Sequence, residues 1–119
     1  MNERKKRKIH LPGETINELI TSVDDIGFGL ARAEIQQSER HFHQKTTEVY
    51  VLISGELLIY RHGFVPIRLT QPGDSFTLKT GIRHQARRLS REPAIVLIIS
   101  IPAWTSNDHH HEPKIKRLW

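Results

Sequence analysis

From Phe28 onward the chain is a succession of short runs rich in β-branched and aromatic residues, each closed by a turn signal. The runs cover 28–36, 48–54 (EVYVLIS), 56–61 (ELLIYR), 65–69, 75–78, 84–89 and 94–101 (AIVLIISI). Between them stand Ser54-Gly55, Arg61-His62-Gly63-Phe64, Gln71-Pro72-Gly73-Asp74, Lys79-Thr80-Gly81 and Arg91-Glu92-Pro93. Glycine and proline at these points supply backbone angles that a strand cannot continue. No helical period runs through this region. Many short strands at regular spacing predict an all-β sandwich or barrel. The run at 94–101 is almost unbroken apolar sequence and reads as a strand buried on both faces. Residues 14–25, ETINELITSVDD, read as a short helix or a loop packed on the barrel. The 119 residues suffice for one domain that buries roughly two thirds of its unfolded-chain surface. The organisation read from the chain is a basic arm over 1–13, a single barrel domain over 14–104 and a polar tail over 105–119.

The histidines carry the chemistry. In His41-Phe42-His43 the two imidazoles are two residues apart, so on a strand they point to the same side. Glu48 opens the next run, and a bend at 44–47 returns its carboxylate to the same point. His84 starts a later run, just after Gly81. Three imidazoles and one carboxylate suit a borderline divalent transition metal: iron, manganese, nickel, cobalt, copper or zinc. Such a set leaves coordination positions open, as a catalytic metal requires. The chain has no cysteine, so a thiolate site and a disulfide framework are both excluded. A bare His-x-His pair, in a chain with 8 histidines, is more often just two surface or hydrogen-bonded side chains.

The spacing adds to this. HFHQKTTEVYVLISG (41–55) resembles the first motif of the cupin family, G-x5-H-x-H-x3,4-E-x6-G, with His41, His43, Glu48 and Gly55 in place. GDSFTLKTGIRH (73–84) resembles the second, G-x5-P-x-G-x2-H-x3-N, with Gly73, Gly81 and His84 in place. Ile35, Lys79 and Arg88 stand where those motifs have glycine, proline and asparagine. None of the three is a ligand position. The resemblance implies the cupin double-stranded β-helix, a jelly-roll barrel, with one divalent metal inside it held by His41, His43, Glu48 and His84. It also implies a homodimer.

Strand parity extends the reading. If Glu48 faces the barrel interior, so do Tyr50 and Leu52, while Val49, Val51 and Ile53 face the other side. If His84 faces inward, Ala86 and Arg88 follow it. Tyr50 and Arg88 are therefore the candidate catalytic residues: Tyr50 as a hydrogen-bond donor near the metal, Arg88 as a partner for an anionic small molecule. The bland alternatives are a core-filling tyrosine and an arginine at the barrel mouth. The family includes dioxygenases, sugar and sugar-phosphate isomerases, lyases and non-enzymatic binding proteins. Oxygenase-type chemistry on a small molecule is slightly favoured, with an isomerase, a lyase or a binding module as the alternatives.

The ends of the chain add little. The net charge of +5 is concentrated in Arg4, Lys5, Lys6, Arg7 and Lys8 and in Lys114, Lys116 and Arg117. Without interleaved aromatics these read as solvated termini, and nucleic acid is not the expected partner. Asp108-His109-His110-His111-Glu112 reads as an exposed polar tail, and Trp104 and Trp119 as covers for the barrel or a subunit contact. No apolar run reaches the ~18 residues of a spanning helix, and no apolar segment follows the basic start. A cytoplasmic protein with no membrane contact is the expectation.

Overall fold

The computed structural model describes residues 7–111. It holds eleven strands: β1 (Lys8–Leu11), β2 (Glu14–Ile20), β3 (Gly29–Ile35), β4 (His41–Phe42), β5 (Thr47–Ser54), β6 (Leu57–Arg61), β7 (Ile67–Leu69), β8 (Ser75–Leu78), β9 (His84–Arg88), β10 (Ala94–Ile101) and β11 (His110–His111). They form two sheets, β1-β2-β3-β10-β5-β8 and β11-β4-β9-β6-β7. The strand pairs are antiparallel. This is an all-β jelly roll, as the run of short strands predicts.

The core lies between the sheets. Ile35, Leu52 and Val96 of the first sheet and Leu57, Ile59 and Ala86 of the second are fully buried. Period-two alternation explains the choice. On β5, Glu48, Tyr50 and Leu52 are buried, Val49 and Val51 are half-buried and Ile53 is exposed. On β10 the inward set is Ala94, Val96, Ile98 and Ser100. Its other face is half-buried, less than the unbroken apolar run suggests, because the flanking strands β3 and β5 lie beside it and not over it.

Two glycines fix the strand junctions. Gly55, with φ +79°, turns β5 into β6, and a Cβ there would lie 2.8 Å from Ser90 Oγ. Gly13, with φ +75°, joins β1 to β2, and its carbonyl accepts the N–H groups of Gln36 and Gln37. A Cβ on Gly13 would strike the Gln37 carbonyl oxygen at 1.7 Å.

The N-terminal region corrects the sequence reading. No α-helix forms over 14–25. Glu14–Ile20 is a strand paired with β3, and only Ser22–Asp24 makes a 3-10 turn, closed by a reciprocal Thr21–Asp24 cap. Of the stretch read as a basic arm, Lys8–Leu11 forms β1 on the edge of the first sheet, and residues 1–6 lie outside the described residues. The polar stretch after 104 is also more than an exposed tail. Asp108 is 4% exposed, and His110 and His111 pair in register with Phe42 and His41. Glu112 and Trp119 fall outside the described residues.

Candidate metal centre

His41, His43, Glu48 and His84 meet inside the barrel. Each is at most 5% exposed, and one ligand atom from each lies within 4.8 Å of the others. The strands explain the meeting. His41 on β4 stands directly opposite His84 on β9. Glu48 is the first inward residue of β5. His43 follows β4 at the start of a turn, where its carbonyl accepts the Gly81 N–H at 2.6 Å. That bond ties the loop before His84 to the loop after His41.

All three rings are oriented in the same way. Nδ1 of His41 lies 2.7 Å from the Glu39 carbonyl, Nδ1 of His43 lies 3.0 Å from the Asp108 carbonyl, and Nδ1 of His84 lies 2.9 Å from the Ile82 carbonyl. A carbonyl accepts only, so each Nδ1 must carry the proton and donate. Each Nε2 then presents a lone pair. Glu48 Oε1 stands 3.1 Å from His43 Nε2 and 3.6 Å from His84 Nε2. These three atoms are buried without a hydrogen-bond partner. Lone pairs gathered in a buried site call for a cation, and a backbone acceptor behind each ring is the usual support of a metal-ligating histidine. The residues fit a divalent ion.

Electrostatics agree. Burial holds His41 well below the usual histidine range, helped by the neighbouring His84 and His109 rings. Burial also lowers His43, but Glu48 outweighs it and the net shift is upward. Burial raises Glu48, and the His43 and His84 rings overcome that, leaving it well below the usual carboxylate range. Glu48 thus remains an anion, and protons compete with a cation for it and His43.

A narrow cavity adjoins the four ligands. About 40 Å³ of it is open to the centres of water molecules. One water needs at least ~10–15 Å³ of such space, so the cavity takes on the order of three. Its polar lining includes Glu14, Glu18, Tyr50 and His109, and its apolar wall includes Ile9, Ile16, Ile20, Leu30, Ile98 and Trp104. Tyr50 therefore reaches the cavity, with its ring 6.5 Å from that of His84. Burial, then Glu48 and Glu14, push its phenol well above the usual value, so it stays protonated. Arg88 does not line this cavity. It sits at the far end of β9, paired with Leu57 and four residues from His84, ~13 Å along a strand.

The sequence reading missed four contributors. Glu14 and Glu18 lay in a stretch read as helix or loop. His109 stacks on His41 with ring centroids 4.3 Å apart. Asp108 accepts the N–H groups of Gln44, Lys45 and Thr46 at 2.8–3.1 Å and so holds the turn after His43. Glu14 and Glu18 were detectable in principle, because ETINELI places 14, 16, 18 and 20 on one strand face. Nothing local in 105–111 signals that it folds back on the site.

A sequence profile described as the cupin domain matches residues 32–100. The chain belongs to the cupin family. Among curated proteins no sequence matches it. Similar solved structures include ectoine synthase from P. lautus, 22% identical at a TM-score of 0.69, with 82% of this cupin and 70% of that chain covered. Another is oxalate decarboxylase from Bacillus subtilis, 16% identical at 0.77, over 90% of this cupin but 30% of that longer chain. A third is the nucleoside dehydratase Pac13, 13% identical at 0.73, over 92% and 91%. At these identities the likeness is one of fold.

Proposed function

We propose that this cupin is a metal-dependent enzyme acting on a small molecule, with His41, His43, Glu48 and His84 as the ligands of one divalent transition metal. The observation that carries this reading is the convergence of three oriented imidazoles and the Glu48 carboxylate in one buried group, with Nε2 of His43, Nε2 of His84 and Oε1 of Glu48 lacking any hydrogen-bond partner. A bound ion of this kind polarises a substrate oxygen or activates dioxygen. Oxygenase-type chemistry is the first form of the proposal, because three histidines and one glutamate leave coordination positions open.

A lyase-type reaction is the second form, and the cavity favours it. Elimination needs a group that takes or gives a proton beside the reacting atoms. Tyr50 holds its proton at the cavity wall. Burial, then the Glu48 and Glu39 carboxylates, push Glu14 up to about 8, so it exchanges a proton near neutrality. Two of the similar structures are named as a decarboxylase and a dehydratase. Tyr50 is the catalytic candidate in both forms. Arg88 lies away from the cavity, so an anionic ligand loses the residue on which that expectation rested. The family resemblance extends the proposal to a homodimer, which sedimentation analysis of the purified protein tests.

Elemental analysis of tag-free protein beside a His41→Ala/His43→Ala variant tests the metal. The reading predicts about one equivalent of a transition metal in the wild type and its loss in the variant. Equal metal content in the two proteins refutes it. Iron would direct the search to dioxygen-dependent turnover, and zinc, manganese or nickel to elimination or isomerisation. In either case Glu48→Ala abolishes turnover.

A further inference from the structure

Strand β2 has an unusual inner face. Its alternate residues Glu14, Ile16, Glu18 and Ile20 all line the cavity, so carboxyl and aliphatic groups take turns along it. The neighbouring strands β3 and β10 present Ala33, Ile35, Val96 and Ile98 inward, which is the ordinary choice for a barrel interior. Glu14 is 9% exposed, and among the described residues no hydrogen bond reaches its carboxyl. A carboxyl that lines a cavity and accepts no bond from the protein is available to a ligand's donors. Glu18 is 6% exposed and accepts one bond, from Arg7 Nε to its Oε1 at 2.6 Å, with the Arg7 side chain itself 65% exposed. Among the described residues no lysine or arginine lines the cavity.

We infer that Glu14 and Glu18 form the ligand-recognition face of the cavity, and that the ligand is a small neutral or cationic molecule bearing hydroxyl or amino donors on an aliphatic body. The inference rests on the metal-centre reading, since it places the ligand beside that centre. The chemistry follows from the lining. A carboxylate accepts hydrogen bonds only, and a protonated carboxyl still accepts at its carbonyl oxygen, so donor groups on a ligand satisfy both glutamates. An anion lacking donors would face these oxygens, and the cation bonded to Glu18, Arg7, stands largely in solvent. Ile16 between the glutamates and Ile20 beyond them pack an aliphatic body. The narrowness of the cavity limits the ligand to a few heavy atoms.

Three probes of similar size separate the alternatives: isobutylamine, isobutanol and isobutyrate, titrated calorimetrically into full-length protein stripped of metal with a chelator, so that no ion coordinates the carboxylate. The amine and the alcohol are expected to bind at least about tenfold more tightly than the carboxylate, the scale of one charge-assisted hydrogen bond. In a Glu14→Gln/Glu18→Gln variant that preference falls by about tenfold, while the zinc the variant takes up on reloading stays unchanged. Gln keeps the shape and the packing, and the melting temperature of the variant, read on the same sample, verifies its fold. Isobutyrate binding as tightly as the amine overturns the inference, and so does a preference unchanged by the double substitution or an amine that does not bind. Wild-type protein that fails to hold zinc refutes the metal reading separately, and the amine-to-carboxylate ratio is read on that protein all the same.

Discussion

Asp108 shows how much a single side chain can organise. Its carboxylate accepts three successive backbone N–H groups and its carbonyl orients the His43 ring. Burial raises its pKa, but the N–H groups of Gln44, Lys45 and Thr46 more than offset this and hold it below the usual value. A lowered carboxyl stabilises the fold above its unfolded pKa, and that contribution is lost as the pH falls. Asp108→Ala leaves buried donors unsatisfied and is expected to cost about 1–3 kcal/mol in denaturant melts. The same variant should hold its metal more weakly, because the turn bearing His43 loosens. Glu14 has the opposite sign. Its pKa is raised from 4.5 to about 8, so in metal-free protein stability declines as the pH rises through that window. Glu14→Gln should flatten this part of the profile, which thermal melts of chelated protein at stepped pH will show. Metal affinity follows a third rule. Since His43 titrates above the usual histidine value, protons compete for it as the solution is acidified, and the metal dissociation constant should rise steeply below neutrality.

At the scale of the element, the decisive contrast is between strands that announce themselves and segments that do not. In 48–54 and 94–101 β-branched residues alternate or run on, and both strands form almost as read. The ligand set was legible for the same reason, since i, i+2 parity and two spaced motifs specify His41, His43, Glu48 and His84. The stretch 14–20 was not legible. Ile16, Leu19 and Ile20 sit at a spacing that also suits a helix, and its inward strand positions alternate glutamate with isoleucine. Pairing with β3 decides the matter, and pairing is a tertiary fact. Likewise Asp108 finds its partners 62–64 residues earlier, a distance no local pattern reports. Gly13 sets the entry to β2. Gly13→Ala would combine a left-handed backbone with a Cβ inside the Gln37 carbonyl. Strain of this kind costs about 1–3 kcal/mol before any clash is counted, so a marked drop in melting temperature is expected, whereas Gly63→Ala, where a Cβ meets nothing within 4 Å, pays the backbone term alone.

Across the whole molecule, the candidate metal ligands bring together pieces that are otherwise only neighbours. Its ligands come from both sheets, β4 and β9 on one side and β5 on the other. An ion bound to the folded state alone stabilises it by mass action, about 2.7 kcal/mol at a hundredfold excess over the dissociation constant. Stripping the metal with a chelator should therefore lower the melting temperature, and restoring the ion should recover it. A His84→Ala variant should respond far less to either treatment.

The return of residues 102–111 to the His43 turn has a consequence for the order of events in synthesis. A ribosome delivers the ligands of the first motif early, and the carbonyl that orients one of them 65 residues later. Until that stretch has left the exit tunnel, His43 lacks the carbonyl that meets its Nδ1, and the cavity lacks the Trp104 and His109 part of its wall. On the proposed reading, firm retention of the metal would await the emergence of Asp108. Nascent chains stalled soon after His84 emerges should exchange a labelled ion rapidly, and chains released beyond residue 111 slowly. Equal exchange from both would show that the first four ligands suffice alone.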